Sequence, residues 1–351
     1  EAVWVDDVYF YEVSGGARVG ENMIKNPSFE DTATTKPTAS DSAGGSMKIK
    51  IIEERNIKID GDISDWQGIE PTKITKEVHY TGANLSLAAD IRYAYDDDFF
   101  YFVIDAEDDM HYPLFTSTYW NGDGLQFAVS KKNERTIKEY AYVAESGGQE
   151  TVKGSSDLKC NFKRDGTLSR YEIAIPWKDY FTEGKPDAFK FCVVINDNDN
   201  DGAGRKGCLE TSSGISDTKD SLHYLTILPD NGVGFNAWLA GAERAEVGDE
   251  SNYTAALINT EAAEKRVKIE SKIGNISENV TIPGNTTLDY SFKVKLGGFG
   301  PINVDFTVSD GETSIQRTAS TYVNANADIT KSVIEKHKAH YAELSELVKR
   351  C

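Results

Sequence analysis

"LAADIRYAYDDDFFYFVIDAEDD", residues 87–109, decides the fold class. Leu87, Ala89, Ile91, Tyr93 and Tyr95 alternate with a second set that includes Asp90 and Arg92. Successive side chains of a strand point to opposite faces, so this spacing gathers the apolar and aromatic set on one side of a half-buried strand. Asp96 to Asp98 interrupt the pattern as turn formers do. Then "FFYFVIDAED" resumes the extended, aromatic-rich run.

The same period recurs outward in both directions, in "MKIKIIEE", "DGLQFAVS", "IKEYAYVAE", "LSRYEIAI", "FKFCVVIN" and "LHYLTIL". Clusters of Asp, Asn and Gly separate these runs and helical periodicity is almost absent, which predicts a two-sheet β-sandwich of roughly 180 residues. After "LPDNGVG" comes a sparser series, "NAWLAGAERAEV", "NYTAALINT", "KRVKIESKI", "LDYSFKVKL", "INVDFTVSD" and "SIQRTASTYV". Six or seven strands in about 90 residues is the pattern of an immunoglobulin-like sandwich. The tail, "DITKSVIEKHKAHYAELSELVKRC", changes period: Asp328 can cap a helix whose one face holds Ile334, Tyr341, Leu344 and Val348. The fold class is therefore all-β, with two successive sandwiches and a C-terminal helix.

The expected division is residues 1–38, a terminal strand plus linker; 39–231, the first sandwich; 232–325, the second; and 326–351, an amphipathic helix leading to a further domain. The opening "EAVWVDDVYFYEV" is a strand without a preceding partner, and the Thr-, Ser-, Ala- and Pro-rich stretch after it cannot bury enough apolar area to order itself. Both ends are those expected of a piece of a longer modular protein.

The 351 residues include 57 acids against 38 bases, a formal charge of −19. That balance repels phosphate backbones and anionic membranes, so no nucleic-acid partner is expected and cations are favoured. No apolar run approaches the roughly 20 residues of a membrane helix. The four cysteines, Cys160, Cys192, Cys208 and Cys351, are too few for a disulfide-built scaffold. Cys192 and Cys208 flank a hairpin centred near Asn200 and would lie at cross-strand distance, as a disulfide or as two buried thiols.

Between those cysteines lies "NDNDNDGAGRKG", residues 196–207. Asp197, Asp199 and Asp201 stand at i, i+2 and i+4 before Gly202, and alternate residues of a tight turn can aim carboxylates at one centre. Calcium, which wants six to eight oxygens, is the expected structural ion, with Asn196 or Glu210 as further donors. Position twelve counted from Asp197 is Cys208, which excludes an EF-hand. A solvated hairpin tip is the competing explanation. The other acidic clusters, at Asp60 to Asp65, Asp96 to Asp98 and Asp105 to Asp109, suit surface turns.

Trp120, in "TSTYWNGDGLQF", falls on a loop before a strand, where an exposed indole offers a flat face for a sugar ring and Asn121 and Gln126 offer amides to its hydroxyls. Its alternative is a lid on the core; Trp66 and Trp177 are expected inside. No catalytic set emerges. "GVGFNA" lacks the βαβ setting of a dinucleotide site, and His337 with His340 has no acid or cysteine cluster beside it. Resemblance to haem-binding proteins of the same sandwich class makes a haem held by Met110 or His111 a remoter option.

Several stretches together resemble the family 9 carbohydrate-binding modules: "IKIDGDISDW", "DIRYAYDDDFFYFVIDAEDD", "YWNGDGLQFAV", "YEIAIPWKDY" and "VVINDNDNDGAGRKGCLE". The likeness spans roughly residues 48 to 229. It implies a β-sandwich with structural calcium, binding the ends of polysaccharide chains, attached to secreted xylanases and related hydrolases. "VWVDDVYFYEV" with "NPSFED" similarly resembles the closing strand of a galactose-binding-like jelly roll. In the family two tryptophans clamp the terminal sugar; Trp120 matches the first, Gln126 stands where an acid is usual, and "TSSGISDTKDSLHY" holds no second tryptophan. The expectation is a non-catalytic carbohydrate-binding or ancillary segment of a secreted, multimodular glycoside hydrolase, extracellular or at the cell surface, with weak glycan affinity. The alternative is a spacer or protein-interaction module without glycan binding.

Overall fold

The computed structural model describes residues 12–14, 17–19, 49–325 except 83, 133, 203 and 216–218, and the helical residues 331–332 and 334–342. The chain forms two compact units, Met47–Gly232 on one hand and Val233–Cys351 with Glu1–Ser46 on the other. Of the opening stretch, Glu12–Ser14 pairs antiparallel with Ala17–Val19. The rest of that stretch, the linker, Asp328, Leu344 and Val348 lie outside the described residues.

In the first unit, Leu87–Tyr95 pairs with Phe99–Asp108 so that Ile91 faces Ile104 and Tyr95 faces Phe100. Asp96 closes the turn: its Oδ1 accepts the N–H groups of Asp98 and Phe99 at 2.8 and 2.7 Å. The inward set, Ile91, Tyr93, Phe100, Phe102 and Ile104, lies in the main core. Phe100 meets Phe189, and Phe102 meets Phe127, edge to face at 4.9 and 5.2 Å, the arrangement aromatic quadrupoles prefer. On the outward face Asp105 is held between Arg92 and Arg170, at 2.9 and 2.7 Å.

One layer contains Thr72–Ile74, Leu87–Tyr95, Phe99–Asp108, Leu168–Pro176 and Lys159–Asp165. The other runs Glu150–Lys153, Lys138–Ala144, Gly124–Lys131, Phe189–Asp197 and Leu225–Pro229, with Gly207–Glu210 and Lys76–His79 continuing from the far end of Phe189–Asp197. Ile49–Glu54 belongs to both. Its first half is parallel to Leu225–Pro229, and Glu53 and Glu54 pair with Ala94 and Tyr95. This bent strand pairs what would otherwise be two open edges.

The register corrects one expectation. Asn196, not Cys192, stands opposite Cys208. Cys192 lies four positions further along its strand, roughly 13 Å away at about 3.3 Å per residue. Both are buried free thiols, and Cys192 donates to Ser212 O at 3.0 Å.

The second unit is immunoglobulin-like: a sheet of Phe235–Gly241, Glu250–Asn259 and Thr286–Lys295 faces one of Arg244–Glu246, Ser314–Asn324, Gly300–Ser309, Lys265–Ser271 and Ile276–Ile282. The eighth strand, beyond the six or seven expected, is the short Arg244–Glu246, parallel to Tyr322–Asn324. Phe235, Tyr253, Val304 and Phe306 fill its core. Ile334 and Tyr341 of the C-terminal helix are exposed.

Candidate functional site

Two strands of the first unit end in an acid and a third begins just after one, each placed by the alternation that builds the core. Phe100, Phe102, Ile104 and Ala106 face inward and Asp108 is the next inward position; Phe191, Val193 and Ile195 lead likewise to Asp197. Asp123 sits one inward step before Leu125, Phe127 and Val129. All three carboxylates are buried. An ionised carboxylate in such a place needs a partner or gives up its charge.

Asp108, Asp197 and Asp199 each bring a carboxylate oxygen within 4.8 Å of the other two. A second group, Asp108, His111 and Asp123, meets the same limit, so Asp108 belongs to both. Burial pushes Asp108 up to about 7, with the neighbouring Asp197 adding to it. Burial, then Asp108, pushes Asp123 up to about 8. Burial also raises Asp197. Ser86 N–H donates to Asp197 Oδ2 at 3.2 Å, whereas Asp197 Oδ1 is buried with no hydrogen-bond partner. Ser86 Oγ and Lys206 Nζ both donate to Asp199.

Of the three aspartates predicted as ligands, the fold brings Asp197 and Asp199 together and leaves Asp201 outside both groups, half exposed and 3.8 Å from Lys206 Nζ. The proposed helpers lie elsewhere: Asn196 Oδ1 accepts from Arg205 at 2.8 Å, and Glu210 pairs with Lys76. Asp108, expected in a surface turn, and Asp123, not singled out by the sequence, join these groups, and His111, considered there only as a haem ligand, stands beside both. The remaining acidic clusters do form turns: Asp60 accepts from Asp62 N, Asp62 from Ser64 N and Asp65 from Lys58 N.

The loop is held by backbone geometry. Asn200 and Gly202 take positive φ, +54° and +87°, a region that asparagine and glycine tolerate best. At its end a Cβ on Gly207 would collide with the Val78 carbonyl, so only glycine fits there.

Beside the acids is an aromatic platform. Trp120, on the turn Tyr119–Asn121, is 42% exposed and Tyr80 is 45% exposed. The Arg205 guanidinium carbon lies 4.0 Å from the Tyr80 ring centre and 5.4 Å from that of Trp120, both within cation–π range. Asn121 is tied to the loop by both side chain and backbone: its side-chain Oδ1 accepts Arg205 N–H at 3.1 Å and its carbonyl accepts Asn198 Nδ2 at 2.5 Å. Asn198 N–H in turn donates to Asp123 Oδ1 at 2.7 Å. A continuous chain of hydrogen bonds thus joins the acids to the platform.

Gln126 is not at the surface. It is buried on the sheet face opposite the core, beside Val194 in the register, and donates to Glu139 at 3.3 Å. Glu210 sits across Val194 from it, and Glu210 Oε2, Ser212 Oγ and Tyr224 OH are further buried atoms without hydrogen-bond partners. Trp66 and Trp177 are buried, with indole N–H groups donating to Glu172 Oε1 and Asp96 O. His337 and His340 are exposed on the helix.

Residues 59–221 match the family model described as carbohydrate family 9 binding domain-like. Among solved structures the chain is similar to a family 9 carbohydrate-binding module from Caldicellulosiruptor kristjanssonii in complex with cellotriose, at 15% identity over 51% of this chain and 92% of that one, TM-score 0.43. The glucose complex of such a module from the same organism gives 16% identity, 52% and 96% coverage, and TM-score 0.44. A CARDB domain from Pyrococcus furiosus, in complex with di-metal ions, gives 13% identity, 26% and 94% coverage, and TM-score 0.24. No curated protein matches the chain.

Proposed function

We propose that this chain, whose residues 59–221 form a carbohydrate family 9 binding domain-like unit, is a non-catalytic carbohydrate-binding segment whose glycan surface is braced by a divalent cation. The observation that carries the reading is the connection from the buried acids through Asn198 and Asn121 to Arg205, which stands between Tyr80 and Trp120. Exposed aromatic faces suit the apolar side of a pyranose ring, and the neighbouring guanidinium suits its hydroxyls.

Asp108, Asp197 and Asp199 fit calcium. Their donors are carboxylate oxygens, the preferred ligands of a hard cation, and the unpartnered Asp197 Oδ1 is an atom that such an ion would satisfy. When bound, calcium supplies charge compensation and stiffness. The protein's own residues then hold the loop: Asp123 fixes Asn198, and Asn121 fixes Arg205. The resemblance further supports a place beside other modules of a secreted glycoside hydrolase.

Affinity gels cast with soluble β-glucans and xylans test the reading. Retardation that is lost on Trp120→Ala, with an expected cost of about 1–3 kcal/mol by analogy with base–aromatic stacking, supports it. No retardation by any glycan, or retardation indifferent to that change, would instead favour a spacer or protein-interaction module.

A further inference from the structure

We propose that Asp108, His111 and Asp123 form a second, distinct metal site, selective for a borderline divalent transition ion such as Zn2+, which shares only Asp108 with the oxygen-lined group. The case rests on the orientation of one imidazole. His111 Nε2 lies 2.8 Å from Ala144 O, and because a carbonyl can only accept, that nitrogen carries the hydrogen. With the hydrogen on Nε2, the neutral tautomer leaves the lone pair on Nδ1.

Nδ1 has nowhere else to direct that pair. The side chain is 7% exposed, Nδ1 has no hydrogen-bond partner, and the ring is stacked on Phe162 at 4.9 Å. Its nearest anionic atom, Asp123 Oδ2, is 3.7 Å away, too far for a hydrogen bond. Two ligands on a tetrahedral ion with bonds of about 2.1 Å stand about 3.4 Å apart, so a small inward movement closes the gap around zinc. The N–H that His111 gives to a backbone carbonyl is also the outer contact that fixes metal-bound imidazoles in the correct tautomer.

Charge and hardness select the ion. Two carboxylates and a neutral imidazole balance one divalent cation, and the nitrogen favours zinc, nickel or copper over calcium. Arg164 Nη1 approaches Asp108 Oδ2 only to 3.9 Å, while its own hydrogen bonds go to Asp108 O and Ser169 Oγ. It leaves room for a stronger partner.

The full chain, stripped with chelator, is titrated with Zn2+ in excess Ca2+ while uptake is measured by elemental analysis. One tightly held zinc per chain is expected, weakened at least about tenfold by His111→Phe, a change that keeps an aromatic ring for Phe162. Asp199→Ala should leave zinc uptake intact while removing the calcium response. Zinc uptake without a calcium response therefore overturns the calcium reading and keeps this one. Should His111→Phe fail to fold, long-range 1H–15N spectra of the unmodified chain decide: one of the five histidines must shift its Nδ1 signal on zinc addition and retain Nε2–H. Absence of zinc uptake in calcium, undiminished uptake by folded His111→Phe, or histidine signals unmoved by zinc overturns the site.

Discussion

Glu172 shows how one buried charge reveals itself through pH. Fully buried, it accepts from Gly61 N–H at 2.5 Å and from Trp66 Nε1 at 2.9 Å, tying the 60–66 turn to the sheet. Burial outweighs these two donors and raises its pKa above the ordinary 4.5. The folded chain therefore binds this proton more tightly than the unfolded chain. The group's contribution is most favourable at or below about 4.5 and declines as pH rises through the raised folded value. Glu172→Gln removes that slope but turns an amide NH2 toward one of the two donors, costing about 1–3 kcal/mol. Urea midpoints compared between the two proteins across pH 4 to 8 check this: the difference in stability should shrink as pH rises. A constant difference would mean that Glu172 keeps its ordinary pKa.

At the scale of elements, the strands and their inward faces were legible because period-two alternation is a local property. Asp108 and Asp197 were legible by the same rule, since each extends an apolar inward series by one step. Turn-forming composition concealed Asp108. Of the platform, the exposed Trp120 was legible and its Tyr80 and Arg205 neighbours were not. Tyr80 reaches Arg205 only because Lys76–His79 pairs with Gly207–Glu210, which sets Tyr80 N–H on Lys206 O at 2.8 Å. No local pattern links positions so far apart in sequence. The loops transmit that register to function through Asn198, whose backbone N–H donates to Asp123 and whose side-chain Nδ2 donates to the Asn121 carbonyl. Asn198→Ala should weaken glycan binding without touching an aromatic ring, by about 0.5–1.5 kcal/mol for a lost hydrogen bond. Calorimetry with a glycan retained by the wild type checks it, and an unchanged Kd would separate the acids from the platform.

For the whole molecule, the two units have separate cores, one built around Phe100, Phe102 and Phe191 and the other around Tyr253, Val304 and Phe306. All the acids, His111 and the aromatic platform belong to Met47–Gly232. An ion that binds only the folded state adds RT ln(1 + [L]/Kd), about 2.7 kcal/mol at a hundred times Kd. For a domain of this size each kcal/mol moves the melting temperature by about 2–4 °C. Calcium should therefore raise the transition of the first unit by about 5–10 °C and leave the second unit's own transition where it was. Hydrogen exchange on the full chain resolves the two directly. Protection is expected to rise at residues 108–123 and 196–207 on adding calcium to chelator-treated protein, and to stay constant from 235 to 324. Equal gains in both units would indicate that the ion acts through general charge screening of a strongly acidic chain, a mechanism that needs no built site and that excess sodium at matched ionic strength would reproduce.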